Sequence, residues 1–162
     1  MPAENPLTVF ETEFNQILSV LDKLVQETNA RVAFLVDKDG QLISASGETE
    51  SIDTTSLASL TAGNIAATSG IAKLLGEKEF SILFHEGEKD NLHLSLIAKR
   101  IILVVLFDNK SSLGLVRLKV KKASEELNEI FQKLLGEAAA KPSSHETLLA
   151  EITDDDIDKL FH

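Results

Sequence analysis

Four histidines are the side chains in this sequence best suited to metal binding or to acid–base chemistry near neutral pH, and no cysteine accompanies them. His85 and His93 fall on adjacent predicted strands, where their imidazoles could come near each other. Two imidazoles without a third acidic or thiolate ligand make a poor zinc site. We therefore expect no metal centre and no bound cofactor.

Nucleophilic and nucleotide chemistry also lack their usual patterns. The chain contains no G-x-S-x-G motif around its serines, and the absence of cysteine excludes a thiolate nucleophile. No G-x-x-x-x-G-K-[ST] loop occurs, so the chain does not itself bind a nucleotide as a P-loop GTPase does. Asp37 and Asp39 are interpreted as turn residues rather than as a carboxylate pair. The sequence therefore predicts a protein without catalytic side chains of its own.

The arginines are the remaining residues that could assist chemistry, by reaching into the phosphate site of another protein. Such a residue must extend from an exposed and supported loop. Arg31 begins a predicted strand and Arg117 lies inside the last predicted helix, whereas Arg100 sits in a turn between strands. Arg100 is thus the only geometric candidate for an arginine finger.

Composition narrows the class of protein further. The 162 residues are 43% hydrophobic and carry a formal net charge of -10, which disfavours nucleic acid and anionic membranes as partners. The N-terminus shows no signal-peptide pattern, and the longest apolar run, Ile101 to Phe107, is too short to span a bilayer. These features indicate a cytoplasmic globular domain with no membrane insertion.

Hydrophobic periodicity predicts three helices and five strands. Helices are expected after Pro6, from Asp53 to about Leu75 and from Ser111-Ser112 to Gly136. The predicted strands are Val32 to Val36, Leu42 to Ala45, Phe80 to His85, Leu92 to Ile97 and Ile101 to Phe107. Short links between the strands favour one five-stranded antiparallel sheet in an α+β fold, with order α-β-β-α-β-β-β-α and helices on both faces.

The second helix has two distinct arcs. Its large apolar residues are expected to form the core face; they are Leu57, Leu60, Ile71, Leu74 and Leu75. The opposite arc carries small residues that would let another backbone approach closely, and it is predicted as a docking surface; it consists of Ser59, Ala62, Gly63, Ala66, Gly70 and Lys73. Close packing against the protein's own sheet or against the same helix of a second copy is the alternative.

The strand containing Phe80, Ile82 and Phe84 carries little charge and no proline, so as an edge strand it could pair with its copy in a second chain. An edge protected by the acidic turn after it is the alternative.

Residues 1–140 are predicted to form one domain with a core of about 8–136, and residues 141–162 to form a flexible linker and an acidic amphipathic segment. The acids Asp154, Asp155 and Asp156 suit the first turn of a helix. Ile157, Leu160 and Phe161 would then supply a small apolar contact surface. Docking on a partner is the functional interpretation, and folding back on the chain's own domain is the alternative.

The stretch IDTTSLASLTAGNIAATSGIAKLLGE, residues 52–77, resembles the Roadblock family. The flanking phrases FLVDKDGQLISASG and FHEGEKDNLHL match it as well, and so does ILVVLFDNK from residue 102. EITDDDIDKLF near the C-terminus is similar to the corresponding segment of bacterial polarity proteins in that family, and it also resembles the acidic segment with which flagellar switch proteins bind a response regulator.

This resemblance implies a homodimer in which the sheets join edge to edge and the second helices lie side by side. It implies a GTPase-activating protein for a Ras-like small GTPase. Such an activator donates no catalytic arginine and instead repositions the switch regions of the GTPase. The resemblance further implies a role in cell polarity and motility, with enrichment at a cell pole. The docking surface of the second helix would then bind the GTPase. A response-regulator-like protein is an alternative partner of the acidic segment. A non-catalytic scaffold or adaptor is the alternative function, because relatives with this fold serve in motor and signalling complexes.

Overall fold

The computed structural model describes residues 6–140, so the linker and acidic segment predicted for residues 141–162 lie outside the described residues. The chain forms one five-stranded antiparallel sheet and three helices in the expected order, which confirms the predicted fold class. The elements are α1 (Pro6–Thr28), β1 (Val32–Asp37), β2 (Leu42–Gly47), α2 (Thr54–Leu75), β3 (Ile82–Glu86), β4 (Asn91–Ile97), β5 (Ile101–Phe107) and α3 (Leu113–Ala140).

The two most apolar strands occupy the inside of the sheet. Its strand order is β2-β1-β5-β4-β3, and all neighbours are antiparallel. Every residue of β1 and of β5 is buried. A strand that is apolar on both faces must be covered on both faces, and the helices supply that cover. β2 and β3 are left at the two edges.

The sheet separates two apolar clusters. The first lies beneath α1 and α3 and contains Ile17, Leu21, Val116 and Leu127 from those helices, together with Leu103 and other side chains from the strands. The second lies beneath α2 and contains Ala58 and Ile65 of that helix against Phe34 and Val104 of the strands. α2 is therefore the only helix on its face of the sheet among the described residues.

Local signals fix the ends of α2 where the sequence predicts them. The carboxylate of Asp53 accepts a hydrogen bond from the backbone N–H of Ser56 at 3.0 Å, which caps the first turn. Gly76 ends the helix in the left-handed conformation, with φ of 75°. In the turn before β2, Asp37 Oδ1 accepts the backbone N–H groups of Asp39 and Gln41 at 2.9 Å each, so the interpretation of these acids as turn residues is confirmed.

Two predicted boundaries are wrong. α3 continues through Gly136 to Ala140, because one glycine costs a helix only about 1 kcal/mol and the residues after it are good helix formers. Phe80 lies outside β3, which begins at Ile82. The connection before that strand is held instead by Glu79, whose carboxylate is 3.3 Å from the Ser69 hydroxyl and 3.9 Å from Lys38 Nζ.

His93 is buried in the sheet beneath the helix pair α1 and α3. It lies opposite Phe84 and Val105 in the strand register and is 1% exposed, and its ring nitrogens make no hydrogen bond among the described residues. Burial lowers the pKa of His93 below its ordinary value, and the nearby positive charge of Arg117 lowers it further. His93 is therefore neutral in the folded protein near pH 7.

We expect the folded protein to lose stability as the pH falls below about 6.5, the ordinary histidine pKa. In that range the unfolded chain binds a proton at His93 that the folded chain does not, so acid favours unfolding. Urea unfolding at a series of pH values should give a steeper fall in the free energy of unfolding for the natural protein than for His93→Phe. Equal slopes for the two proteins would contradict this assignment.

Candidate functional site

α2 packs on the sheet through its small side chains rather than through its large ones. The buried residues of the helix are Ala58, Thr61, Ala62, Ile65 and Ala72. Of the five residues predicted to face the core, only Leu57 is partly buried against it. Leu60, Ile71, Leu74 and Leu75 are exposed, with Leu60 at 72% and Leu74 at 88%. The predicted core face of this helix is therefore wrong.

The physical reason is the close approach of α2 to the strands beneath it. Small side chains on the inner arc allow the helix backbone to lie near β1 and β2, where a row of leucines would hold it away. The turn between these strands also comes close, since a Cβ on Gly40 would stand 3.1 Å from the Ser59 Cα. Ala62, predicted for the outward arc, is consequently 7% exposed and belongs to the inner arc.

The outward arc of α2 forms a continuous surface that we term the α2 face. It comprises Ser59, Leu60, Gly63, Ala66, Ala67, Gly70, Ile71, Lys73 and Leu74, all of them exposed. Lys73 is its only ionisable residue. A solvent-facing helix surface ordinarily carries many charged side chains, and a large exposed apolar patch marks an interaction site.

The glycines of the α2 face have no role in packing within the described chain. A Cβ added at Gly63 or at Gly70 would meet nothing within 4 Å. Each glycine costs a helix about 0.5–1 kcal/mol relative to alanine. Because these glycines lack side chains, a backbone or helix of another molecule could approach α2 closely between its exposed leucines.

Contacts on the inner side hold the α2 face in place. The Asn64 side-chain amide lies 3.1 Å from the Nε2 atom of His85 on β3. Asp53 and Gly76 fix the two ends of the helix. Because the helix is anchored along its length, the outward side chains are presented on a rigid element rather than on a loop.

The β3 edge of the sheet exposes apolar side chains on both faces. On the face covered by α1 and α3, Ile82 is 52% exposed and the Phe84 ring stacks on Phe107 with centroids 6.2 Å apart. Leu83, Leu92 and Leu96 of β3 and β4 are only partly buried on the sheet face that α2 covers. The apolar surface therefore extends from α2 onto the sheet towards this edge.

The structure places the three arginines in different settings. Arg31 Nη1 donates to both carboxylate oxygens of Asp90 at 2.9 and 3.0 Å, and Arg31 Nε donates to Glu48 at 3.0 Å. These hydrogen bonds, that of Asp90 first, raise the pKa of the guanidinium above its ordinary value. Arg31 thus joins the start of β1 to the segment after β2 and to the β3–β4 turn, a contact that no sequence motif indicates.

Arg100 lies in the β4–β5 turn, where its backbone N–H donates to the Ile97 carbonyl at 3.1 Å. Arg117 is exposed on α3. Neither residue belongs to the α2 face.

His85 and His93, the two histidines within residues 6–140, lie on opposite faces of the sheet. His85 shares its face of the sheet with α2, whereas His93 faces the opposite helix pair. Within residues 6–140 no group of three or more histidine and acidic residues is placed to hold a metal ion. No helix in the same part of the chain is long and apolar enough to cross a membrane.

Solved structures with this arrangement include MglB proteins. Myxococcus xanthus MglB matches with a TM-score of 0.73 and 61% identity over 75% of this chain and 92% of that one. A gliding protein MglB from Thermus thermophilus matches with a TM-score of 0.70 and 35% identity over 75% and 92%. An MglB with a tetrameric arrangement also matches, with a TM-score of 0.70 and 34% identity over 75% and 91%.

A comparison with curated proteins gave no match. The family model described as the Roadblock/LC7 domain matches residues 16–107, from α1 to the end of β5. That region contains all five strands and the whole of α2, and the identity to MglB extends over most of the chain. The chain belongs to the Roadblock/LC7 family and is similar to its MglB members.

Proposed function

We propose that this protein is a homodimeric GTPase-activating regulator of a Ras-like, MglA-like small GTPase that serves cell polarity and gliding motility. The observation that carries the proposal is the α2 face, an outward row of aliphatic and small residues on a rigid helix. The similarity of the chain to MglB supports the same function, since one solved MglB is described as a gliding protein.

The α2 face could serve both dimer formation and binding of the GTPase. A second copy joined along β3 would bring its own α2 alongside, and the pair would form one broad apolar platform. Covering Leu60, Ile71 and Leu74 could contribute about 1.5–3 kcal/mol each before the cost of ordering is subtracted. Small residues between them leave space for a switch region of the GTPase to approach the helix backbone.

The proposed regulator accelerates hydrolysis by arranging groups that the GTPase already has. Phosphoryl transfer depends mainly on positioning and on electrostatic stabilisation, so a platform that holds the switch regions in a productive arrangement is sufficient to raise the rate. Because the α2 face is mainly apolar, it is better suited to holding a loop than to stabilising charge. The guanidinium of Arg31 is already engaged by two carboxylates.

The acidic segment would add a second contact. We propose that Asp154, Asp155 and Asp156 begin a short helix on the GTPase, with Ile157, Leu160 and Phe161 as its apolar contacts. A short amphipathic helix in a groove is a common mode of recognition. We expect this contact to be separate from the α2 face, where it would alter nucleotide exchange rather than hydrolysis.

GTP hydrolysis by a Ras-like GTPase in the presence and absence of this protein tests the function. We expect stimulation by the natural protein and by Arg31→Ala, Arg100→Ala and Arg117→Ala when each is folded. An arginine finger contributes about 10³–10⁵ in rate, so the loss of one would be obvious. A fall of that size for Arg100→Ala with unchanged binding would establish a finger. Binding without any stimulation would favour the scaffold alternative.

Substitution on the α2 face should weaken binding of the GTPase. Ala66→Arg with Gly70→Arg places two long cations where a partner backbone should lie, and a central interface substitution costs about 2 kcal/mol or more, which is over tenfold in affinity. Gln26→Arg, at an exposed position of α1, is the matched control. Isothermal titration that finds equal affinities for the folded double variant and the control would reject this surface.

The chain should be a dimer in solution. β3 is an edge strand with exposed Ile82 and no lysine or proline, and the α2 face offers apolar area to the same partner. Light scattering at micromolar concentration should give twice the single-chain mass of 17.7 kDa. A mass equal to that of one chain would contradict the dimer.

A further inference from the structure

The first half of α3 carries a basic surface that contrasts with the acidic balance of the whole chain. Arg117, Lys121 and Lys122 are exposed, and no carboxylate of the described residues forms an ion pair with them. Lys119 on the same helix, by comparison, lies 3.3 Å from Glu27. None of these three cations is therefore paired directly with an acid among the described residues, although the net charge of the protein is -10.

Two leucines lie among these cations. Leu118 is 63% exposed and Leu115 is partly buried. Residues three and four apart on a helix are neighbours on its surface. Leu115 and Leu118 are therefore adjacent, as are Leu118 and Lys122, and as are Arg117 and Lys121. We term these five residues the α3 face, and their chemistry suits an acidic segment that carries a few apolar side chains.

The chain contains a segment of that chemistry. Residues 154–161 read DDDIDKLF, with four aspartates and one lysine around Ile157, Leu160 and Phe161. Its charge is opposite to that of the α3 face, and its apolar side chains match the two leucines. A segment of the same chain also binds at a high effective concentration, on the order of millimolar for a short linker.

The linker is long enough for this contact. α3 ends at Ala140, and Lys121 lies 19 residues earlier on the helix, or about 28 Å at 1.5 Å per residue. Residues 141–153 separate the helix from Asp154. Thirteen residues can span at most about 43–47 Å when extended, which exceeds the distance back along α3.

We propose that in the free protein residues 154–161 dock on the α3 face of their own chain. The aspartates lie against Arg117, Lys121 and Lys122, and the apolar side chains cover Leu118. A partner that uses this segment must then displace it from α3, so the intramolecular contact lowers the apparent affinity of the segment for any second site. The contact itself does not depend on the proposed GTPase.

Paramagnetic relaxation in the full-length protein tests the contact. The chain has no cysteine, so His162→Cys accepts a single spin label beside Phe161. We expect selective loss of amide signal intensity around Leu118 at about 0.15 M salt, and recovery of that intensity at 1 M salt, where the Debye length falls from about 8 to 3 Å.

Charge reversal supplies the decisive comparison. Lys121→Asp with Lys122→Asp should abolish the intensity loss, and Asp155→Lys with Asp156→Lys in the same chain should restore it. Lys89→Glu, in the exposed β3–β4 turn, is the control that should leave it unchanged.

Four results would overturn the proposal. The first is intensity loss spread evenly over the surface or confined to another element, and the second is a loss unaffected by the reversal on α3. The third is intensity loss in isotope-labelled chains without a spin label that are mixed with spin-labelled chains, because it would place the segment on the partner chain. Binding of anionic vesicles at the α3 face, with no effect of the spin label there, would assign the surface to a membrane instead.

Discussion

The close packing of α2 against β1 and β2 determines which surface the molecule presents. Small side chains on the inner arc, such as Ala58 and Ala72, bring the helix backbone near the strands. Apart from Ile65 and the partly buried Leu57, the large aliphatic residues then point outward, where nothing in a single described chain covers them. The domain itself therefore buries only part of the apolar area of α2, and much of that area remains in water. Covering this area in the proposed assembly would add stability, which links the fold of α2 to the proposed partner.

Most of the fold follows from the sequence because the signals are local. The runs Val32–Asp37 and Ile101–Phe107 are apolar on both faces and become the covered strands β1 and β5. Asp53 and Gly76 set the ends of α2 through hydrogen bonds within a few residues. α3 passes Gly136 because a single glycine is a weak stop signal.

The orientation of α2 does not follow from the sequence. Around the axis of α2, aliphatic residues lie on one side and small residues on the rest. The helix could therefore bury apolar area with either side turned towards the sheet. Predicting the larger side chains inward placed Leu60 and Leu74 in the core, whereas the spacing between helix and sheet, a tertiary property, favours Ile65 and alanines there. Ser59, Gly63, Ala66, Gly70 and Lys73 nevertheless lie outward as expected, and only Ala62 turns in. The Arg31–Asp90 contact joins residues far apart in the chain and has no local signal.

Hydrogen exchange of individual backbone amides, measured with and without a GTP-bound Ras-like GTPase, tests whether the α2 face is the partner surface. We expect slower exchange along α2 from Ser59 to Leu74 on binding, with exchange on the outer surface of α1 unchanged. Slower exchange elsewhere in the domain, with α2 unaffected in a demonstrably bound complex, would contradict the assignment of the α2 face as the partner surface.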